Sequence, residues 1–302
     1  MKVAVIGAGH MGRYHAQKFA RCAELVGVLD ADRARAEVVA GEVGCAVLSE
    51  LPDEVHAAVV SVPTDRHHEV ALGCLRRGLH VLVEKPIATT VAEADELIAA
   101  ATKSGVVLMV GHVERYNRAF QALCERMQRP VFVEAERLAG FKQRGAEVDV
   151  VLDLMIHDLD LASALARAEI SGITACGFRV LTSEIDIANA RIEFANGCVA
   201  NLSASRVSQA PVRKLRVFEP GQYVSADLQD ASLRYVRQAD GKIEQNEERH
   251  GGGDALATQA AAFVAAAAGK AAVQSTGEEG RRSLELALHI GRLVRERLER
   301  FE

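Results

Sequence analysis

Tryptophan is absent from the 302 residues, and aromatic residues make up only 4%. Proteins that grip single-stranded nucleic acid stack bases on aromatic rings, so this chain is poorly equipped for that task. An excess of basic charge is missing too. Lysine and arginine total 36 against 41 aspartates and glutamates, a net charge of −5, which argues against a nucleic-acid partner. No apolar run reaches the roughly 18–20 residues that a membrane helix needs, so no membrane span is expected. The opening "MKVAVIGAG" lacks a long apolar h-region and a small-residue cleavage site, so no secretory signal is expected either. Six cysteines stand apart, at Cys22, Cys45, Cys74, Cys124, Cys176 and Cys198. None forms a CxxC pair or has histidine at zinc-ligand spacing, so no metal site is expected. They read as small core fillers in a reducing cytoplasm, the expected location.

What is present is ordinary in bulk, with 49% apolar and 25% charged residues. The length favours two domains. Strand and helix signals alternate through residues 1–118, and the strands are continuously apolar. That pattern predicts a doubly wound parallel α/β sheet of Rossmann type. After about residue 118 the rhythm changes. "DVVLDLMIHDLDLASALA" has helical spacing, and a run of strand candidates extends from Ile170 to about Ile243. Asn196-Gly197 and Pro220-Gly221 mark hairpin turns. Residues 119–302 are therefore expected to form an α+β domain with a large, mostly antiparallel open sheet. This domain would bind substrate and mediate oligomerisation, with its last helix free to return to the first domain.

"VIGAGHMG" places Gly7, Gly9 and Gly12 in GxGxxG spacing between an apolar strand and a helix. The glycines suit a tight turn, close approach of a pyrophosphate and close helix–strand packing. The amides of His10, Met11 and Gly12 then open the helix, where an anion is favoured. Asp30 ends the second strand, eighteen residues beyond Gly12. A carboxylate there accepts from ribose hydroxyls and repels a 2′-phosphate, favouring NAD. Arg33 and Arg35 lie just beyond and keep NADP as the lesser alternative.

Two further stretches follow apolar strands, "SVPTDRHHEV" from Ser61 and "EKP" at Glu84-Lys85-Pro86. Carboxyl ends of parallel strands are where open α/β sheets bind ligands. Ser61, Pro63, Thr64, His67, Glu84 and Lys85 are therefore expected near the cofactor. Asp153 and His157 lie four apart on the predicted helix and hence on one face.

The glycine motif, "VPTDRHH", "EKP" and "DLMIHDLD" together resemble the Gfo/Idh/MocA oxidoreductase family over nearly the whole chain. The resemblance implies hydride transfer between a sugar-like carbinol and a nicotinamide. It maps the family's catalytic lysine, aspartate and histidine onto Lys85, Asp153 and His157, and a cofactor-contacting glutamate onto Glu84. Histidine suits proton removal near neutral pH, and lysine suits stabilising charge on the same oxygen. Which of the two takes the proton stays open. Asp158 and Asp160 read as helix-surface or capping groups. Met155 stands where many members carry glycine.

"VGHVERYNRAF" adds a resemblance to a bacterial branch of nucleotide-sugar 3-dehydrogenases, acting on UDP-N-acetylglucosamine-type sugars ahead of 3-amino-sugar and lipid A synthesis. That implies substrate contacts from His112, Arg115, Tyr116 and Arg144, with Arg137 and Lys142 completing a basic rim. A free sugar or inositol dehydrogenase is the alternative within the family. A non-catalytic cofactor-binding sensor is the alternative of another class. A homodimer or homotetramer is expected, because an open sheet face left uncovered invites association.

Overall fold

The computed structural model describes residues 1–300 apart from 144, 240 and 252. The chain forms two compact units. One takes Met1–Val113 and Asp254–Leu284, and the other takes Glu114–Gly253 with the chain from Glu285 onward.

The first unit holds a six-stranded parallel sheet in the order β3-β2-β1-β4-β5-β6. Its strands are β1 (Lys2–Ile6), β2 (Glu24–Leu29), β3 (Ala46–Val47), β4 (Ala57–Val60), β5 (His80–Val83) and β6 (Leu108–Val110). Val3, Val5, Val59, Val81 and Leu82 are wholly buried, as strands covered on both faces require. Helices α1 (His10–Cys22), α2 (Arg33–Val43), α3 (His67–Arg76) and α4 (Val91–Ser104) form the crossovers. Asp32 caps α2, and Thr90 with Glu93 makes a capping box on α4. The strand order reverses between β1 and β4, which creates the crevice where such sheets take ligands.

Helix α7 (Ala255–Ala267) packs on α1 through Phe19 and Phe263, whose ring centroids are 6.0 Å apart. Lys18 on α1 pairs with Asp254, the α7 N-cap, at 2.8 Å. The chain after α7 then covers the β6 edge. Val110 N–H donates to Ser275 O at 2.9 Å, and Ser275 Oγ donates to Val110 O at 2.5 Å.

The second unit holds an eight-stranded sheet in the order β14-β13-β12-β11-β7-β10-β9-β8. Its strands are β7 (Phe132–Leu138), β8 (Ile170–Phe178), β9 (Ile187–Phe194), β10 (Val199–Ser205), β11 (Val212–Glu219), β12 (Gln222–Asp227), β13 (Ser232–Ala239) and β14 (Lys242–Arg249). Only the β7–β10 pair is parallel among these. Both hairpin turns fall where the sequence marked them, and Gly197 and Gly221 take the left-handed φ of +85° and +82° that glycine permits. Strand β9 alternates strictly, so Ala188, Ala190, Ile192 and Phe194 point inward. They join Phe120 and Leu123 of α5 (Arg118–Arg126), Leu159 of α6 (Ile156–Ala166), and Ile290 and Val294 of α8 (Gly277–Leu298) in one core. A π-helical turn, Val151–Met155, precedes α6.

The six cysteines are free, and burial pushes the Cys74 and Cys124 thiols up to about 11. Among the described residues no helix is long and apolar enough to cross a membrane, and no group of three or more His, Cys, Asp or Glu is arranged to hold a metal ion.

Candidate active site

The glycine turn sits where β1 and β4 diverge. Gly7 adopts φ +99°, and a Cβ there would lie 2.4 Å from Ser61 O. A Cβ on Gly12 would meet Gly7 O at 1.7 Å, so α1 packs directly onto the turn. Gly9 differs, because a Cβ built there would meet nothing within 4 Å. Gly9 is also the N-cap of α1, with no side-chain cap and no acidic residue in the first turn. The helix therefore opens with the backbone amides of His10, Met11 and Gly12 beside open space, a cradle suited to a pyrophosphate.

Asp30 faces this turn. Its Oδ2 accepts from Ala8 N–H at 2.6 Å and its Oδ1 from Asp32 N–H at 2.8 Å. Each oxygen retains acceptor capacity for a ribose hydroxyl. Arg33 and Arg35 are exposed and pair with Glu37 (3.0 Å) and Asp32 (3.4 Å). The donor set thus fits a dinucleotide, and the carboxylate fits an unphosphorylated ribose.

Pro63 begins a 3₁₀ turn, Thr64–Arg66, that leads into α3. His67, 1% exposed, bridges two strand-end loops. Its Nδ1 lies 2.8 Å from Pro86 O and its Nε2 lies 2.9 Å from Val62 O. Burial lowers the ring's pKa while the two carbonyls oppose the shift. In the neutral ring only one of these contacts is a hydrogen bond.

At the end of β5, Glu84 is 8% exposed and Lys85 half-buried. Glu84 Oε1 lies 2.6 Å from His15 Nε2, and Glu84 Oε2 accepts from Lys85 N–H at 3.1 Å. Burial alone would raise the Glu84 pKa, but the imidazole, the Lys85 amide and the Lys85 charge hold it below the usual carboxylate range. His15 was not among the sequence-predicted residues. It follows Gly12 by three and stands on the buried face of α1 with Ala16 and Phe19, so helical periodicity was a signal that would have found it.

In the second unit Asp153 lies in the π-helical turn rather than in regular α-helix, and His157 follows in the first turn of α6. π-Turns recur at functional sites. A Cβ on Gly145 would lie 3.6 Å from Asp153 Oδ2, so the segment before the turn passes beside this carboxylate. Arg206 steadies that segment by donating to Gly145 O (2.9 Å) and to Val148 O.

Asp158 and Asp160 are not the surface or capping groups the sequence suggested, being 3% and 1% exposed. Arg137 is likewise buried and away from any rim. It donates to both Asp158 oxygens at 3.0 and 2.9 Å and to Glu114 at 3.0 Å. Two carboxylates around it hold the guanidinium protonated, against the cost of burial. Arg115 forks onto Asp160 at 2.6 and 2.8 Å. The pattern of alternating acids on α6 reads as exposed only until the partner arginines on other elements are known.

Tyr116, in the second unit, and His112, in the first, are each 1% exposed. Lys142 is exposed, and Arg144 lies outside the described residues. The structure thus gathers Gly7, Gly9, Gly12, Asp30, Ser61, His67, Glu84 and Lys85 at the carboxyl ends of β1, β2, β4 and β5. It carries Asp153 and His157 four residues apart on consecutive helical segments of the second unit.

Comparison with known proteins agrees with this geometry. Residues 1–112 match the oxidoreductase family with NAD-binding Rossmann fold, and residues 123–219 match the GFO/IDH/MocA C-terminal domain. UDP-N-acetylglucosamine 3-dehydrogenase of Acidithiobacillus ferrooxidans is 38% identical over 310 aligned positions, covering 99% of each chain. A solved structure of that enzyme superposes with a TM-score of 0.93, at 39% identity and 97% coverage of each chain. The scyllo-inositol 2-dehydrogenase (NAD(+)) of Bacillus subtilis is 30% identical over 233 positions, covering 69% of this chain and 68% of its own. With its nucleotide-binding signature, its second-unit sheet and an end-to-end relative in agreement, the chain belongs to the Gfo/Idh/MocA oxidoreductase family.

Proposed function

We propose that this protein is an NAD-dependent dehydrogenase that oxidises C3 of a UDP-N-acetylglucosamine-type sugar to a 3-keto sugar. The observation that carries the reading is the end-to-end likeness to an enzyme of that activity, at 38% identity and a TM-score of 0.93. The inositol dehydrogenase covers only about two thirds of the chain at lower identity.

A nicotinamide bound in this crevice would supply the acceptor for the hydride that leaves the sugar carbon. The α1 amides and Asp30 would hold the dinucleotide. His157 takes the hydroxyl proton, as an imidazole does readily near neutral pH. Lys85 donates a hydrogen bond to the same oxygen and stabilises charge developing there. Asp153 is assigned to holding the substrate. His112, Arg115, Tyr116 and Arg144 are assigned to the substrate side. Within that assignment, the bidentate ion pair of Arg115 with Asp160 suits it to shaping the wall.

The same reading makes the protein cytoplasmic and places it ahead of the transamination that supplies 3-amino sugars for lipid A. It also makes it a homodimer or homotetramer. Phe132, Phe218 and Tyr223 form an aromatic row across β7, β11 and β12, with centroids 5.5 and 4.7 Å apart, suited to burial between subunits.

Purified protein with NAD should convert UDP-N-acetylglucosamine to a product two hydrogens lighter, with formation of NADH. Lys85→Met should lower turnover roughly 100- to 10,000-fold while NADH still binds. Oxidation of scyllo-inositol with no 3-keto nucleotide sugar would replace this reading by the inositol one. Cofactor binding without turnover of either would leave a sensor.

A further inference from the structure

The buried partner of Glu84 has no role in the chemistry described so far. His15 is 1% exposed and points from the second turn of α1 towards the end of β5. The 2.6 Å contact from its Nε2 to Glu84 Oε1 is a hydrogen bond between an imidazole N–H and a carboxylate. Its Nδ1 is buried with no hydrogen-bond partner among the described residues. Nothing there accepts an Nδ1 proton, so the ring's proton belongs on Nε2, directed at Glu84.

Glu84 is confined on its other sides. A Cβ on Gly111 would fall 2.8 Å from Glu84 Oε2, so the absence of a side chain at the end of β6 makes the space that the carboxylate fills. The same Oε2 accepts the backbone N–H of Lys85 at 3.1 Å. A chain of two hydrogen bonds therefore runs from the helix that opens at the pyrophosphate cradle to the backbone that aims the Lys85 side chain. Burying a polar pair of this kind gains little stability over an apolar pair of the same size. What such a pair supplies here is direction.

Resting on the dehydrogenase reading, we infer that His15 is a positioning residue: it fixes the Glu84 carboxylate, which fixes the Lys85 amide and so the line along which Lys85 reaches the substrate oxygen. His15 acts through Glu84, and it ties the cofactor helix to the reactive loop within one unit.

The test uses the full-length protein with His15→Phe, which keeps the ring but has no donor, and His15→Gln, whose amide can reach Glu84. Amide hydrogen exchange at Lys85 reports the second bond directly. His15→Phe should speed it about tenfold, in line with losing one hydrogen bond to a charged group. At saturating NAD and sugar, kcat should fall about 100-fold, as expected for a small misplacement of a reacting group. KM for the sugar and the Kd for NADH should change by less than about threefold, because ground-state binding is not the term removed. His15→Gln should restore both Lys85 protection and most of kcat.

If His15→Phe does not fold, His15→Asn, whose amide stops short of Glu84, must show the same paired losses. Wild-type protection at Lys85 in the Phe or Asn variant, or loss of kcat without change at that amide, overturns the inference. So does a glutamine variant as impaired as phenylalanine. Lys85 exchange and NADH binding need no sugar. Failure of the wild-type protein to oxidise any UDP-sugar would therefore sink the functional reading while His15 is still judged on its own.

Discussion

Glu84 in the first unit and Asp158 in the second are both buried carboxylates, yet their surroundings differ. Asp158 meets a guanidinium that also holds Glu114, Glu114 pairs in turn with Arg213 at 3.5 Å, and the charges satisfy one another inside the unit. Glu84 meets an imidazole and the amide of its own neighbour, at the open end of a parallel sheet. The first arrangement is closed and serves the fold. The second leaves the lysine beside it directed by the carboxylate, and serves the crevice. A buried charge is thus read by whether its partners are all internal or whether the chain of bonds leads out to a reactive group.

The closed triad is the place to break this contrast most forcefully. Arg137→Met leaves Asp158 buried without its cation and Glu114 with Arg213, at 3.5 Å, as its remaining cation, and urea unfolding should show a loss of about 3–5 kcal/mol. A loss below about 1 kcal/mol would mean that the triad carries no structural role. Next come the glycines at the open end. Gly12→Ala forces a Cβ against Gly7 O, so thermal unfolding should show a loss of about 1–3 kcal/mol and NADH binding should fail. Gly9→Ala meets open space. It should melt like the wild type and lose only affinity for NADH, measured by fluorescence titration.

The smallest effect concerns another buried carboxylate, Asp186. Burial alone would raise its pKa, but N–H groups of Leu181, Thr182 and Val180 and the Thr182 hydroxyl bring it down to about 2. A folded-state value below the unfolded value of about 3.9 means that its stabilisation is complete above that pH and drains away as pH falls towards 2. The stability difference between wild type and Asp186→Asn should therefore be constant above about pH 5 and shrink between about pH 4 and 2. A difference that does not change with pH would show that the carboxylate charge is not what organises the loop.

Much of the first unit was legible because its signals are local. Apolar runs and the glycine spacing each act within a few residues, and they place β1 to β6 and the cofactor turn. The hairpins at Asn196-Gly197 and Pro220-Gly221 were legible for the same reason. The buried ion pairs were not. Arg137 and Asp158 are brought together by a strand and a helix, and nothing near either residue in sequence reports the other. The π-turn at Asp153 escaped because apolar spacing cannot separate it from α-helix over five residues. His15 was legible in principle, as a histidine on an apolar helical face. Its partner became visible only once β5 was laid beside α1.

The edge of the parallel sheet carries a consequence for biogenesis. Strand β6 ends at Val110, and the backbone that seals it comes from Ser275 and Thr276. A ribosome must therefore translate some 160 further residues before that rim is closed. Until then the nascent nucleotide-binding half presents an unpaired strand, a template for mispairing with a neighbouring copy. Maturation of the nucleotide-binding sheet is thus deferred to the arrival of a segment encoded far downstream in the message.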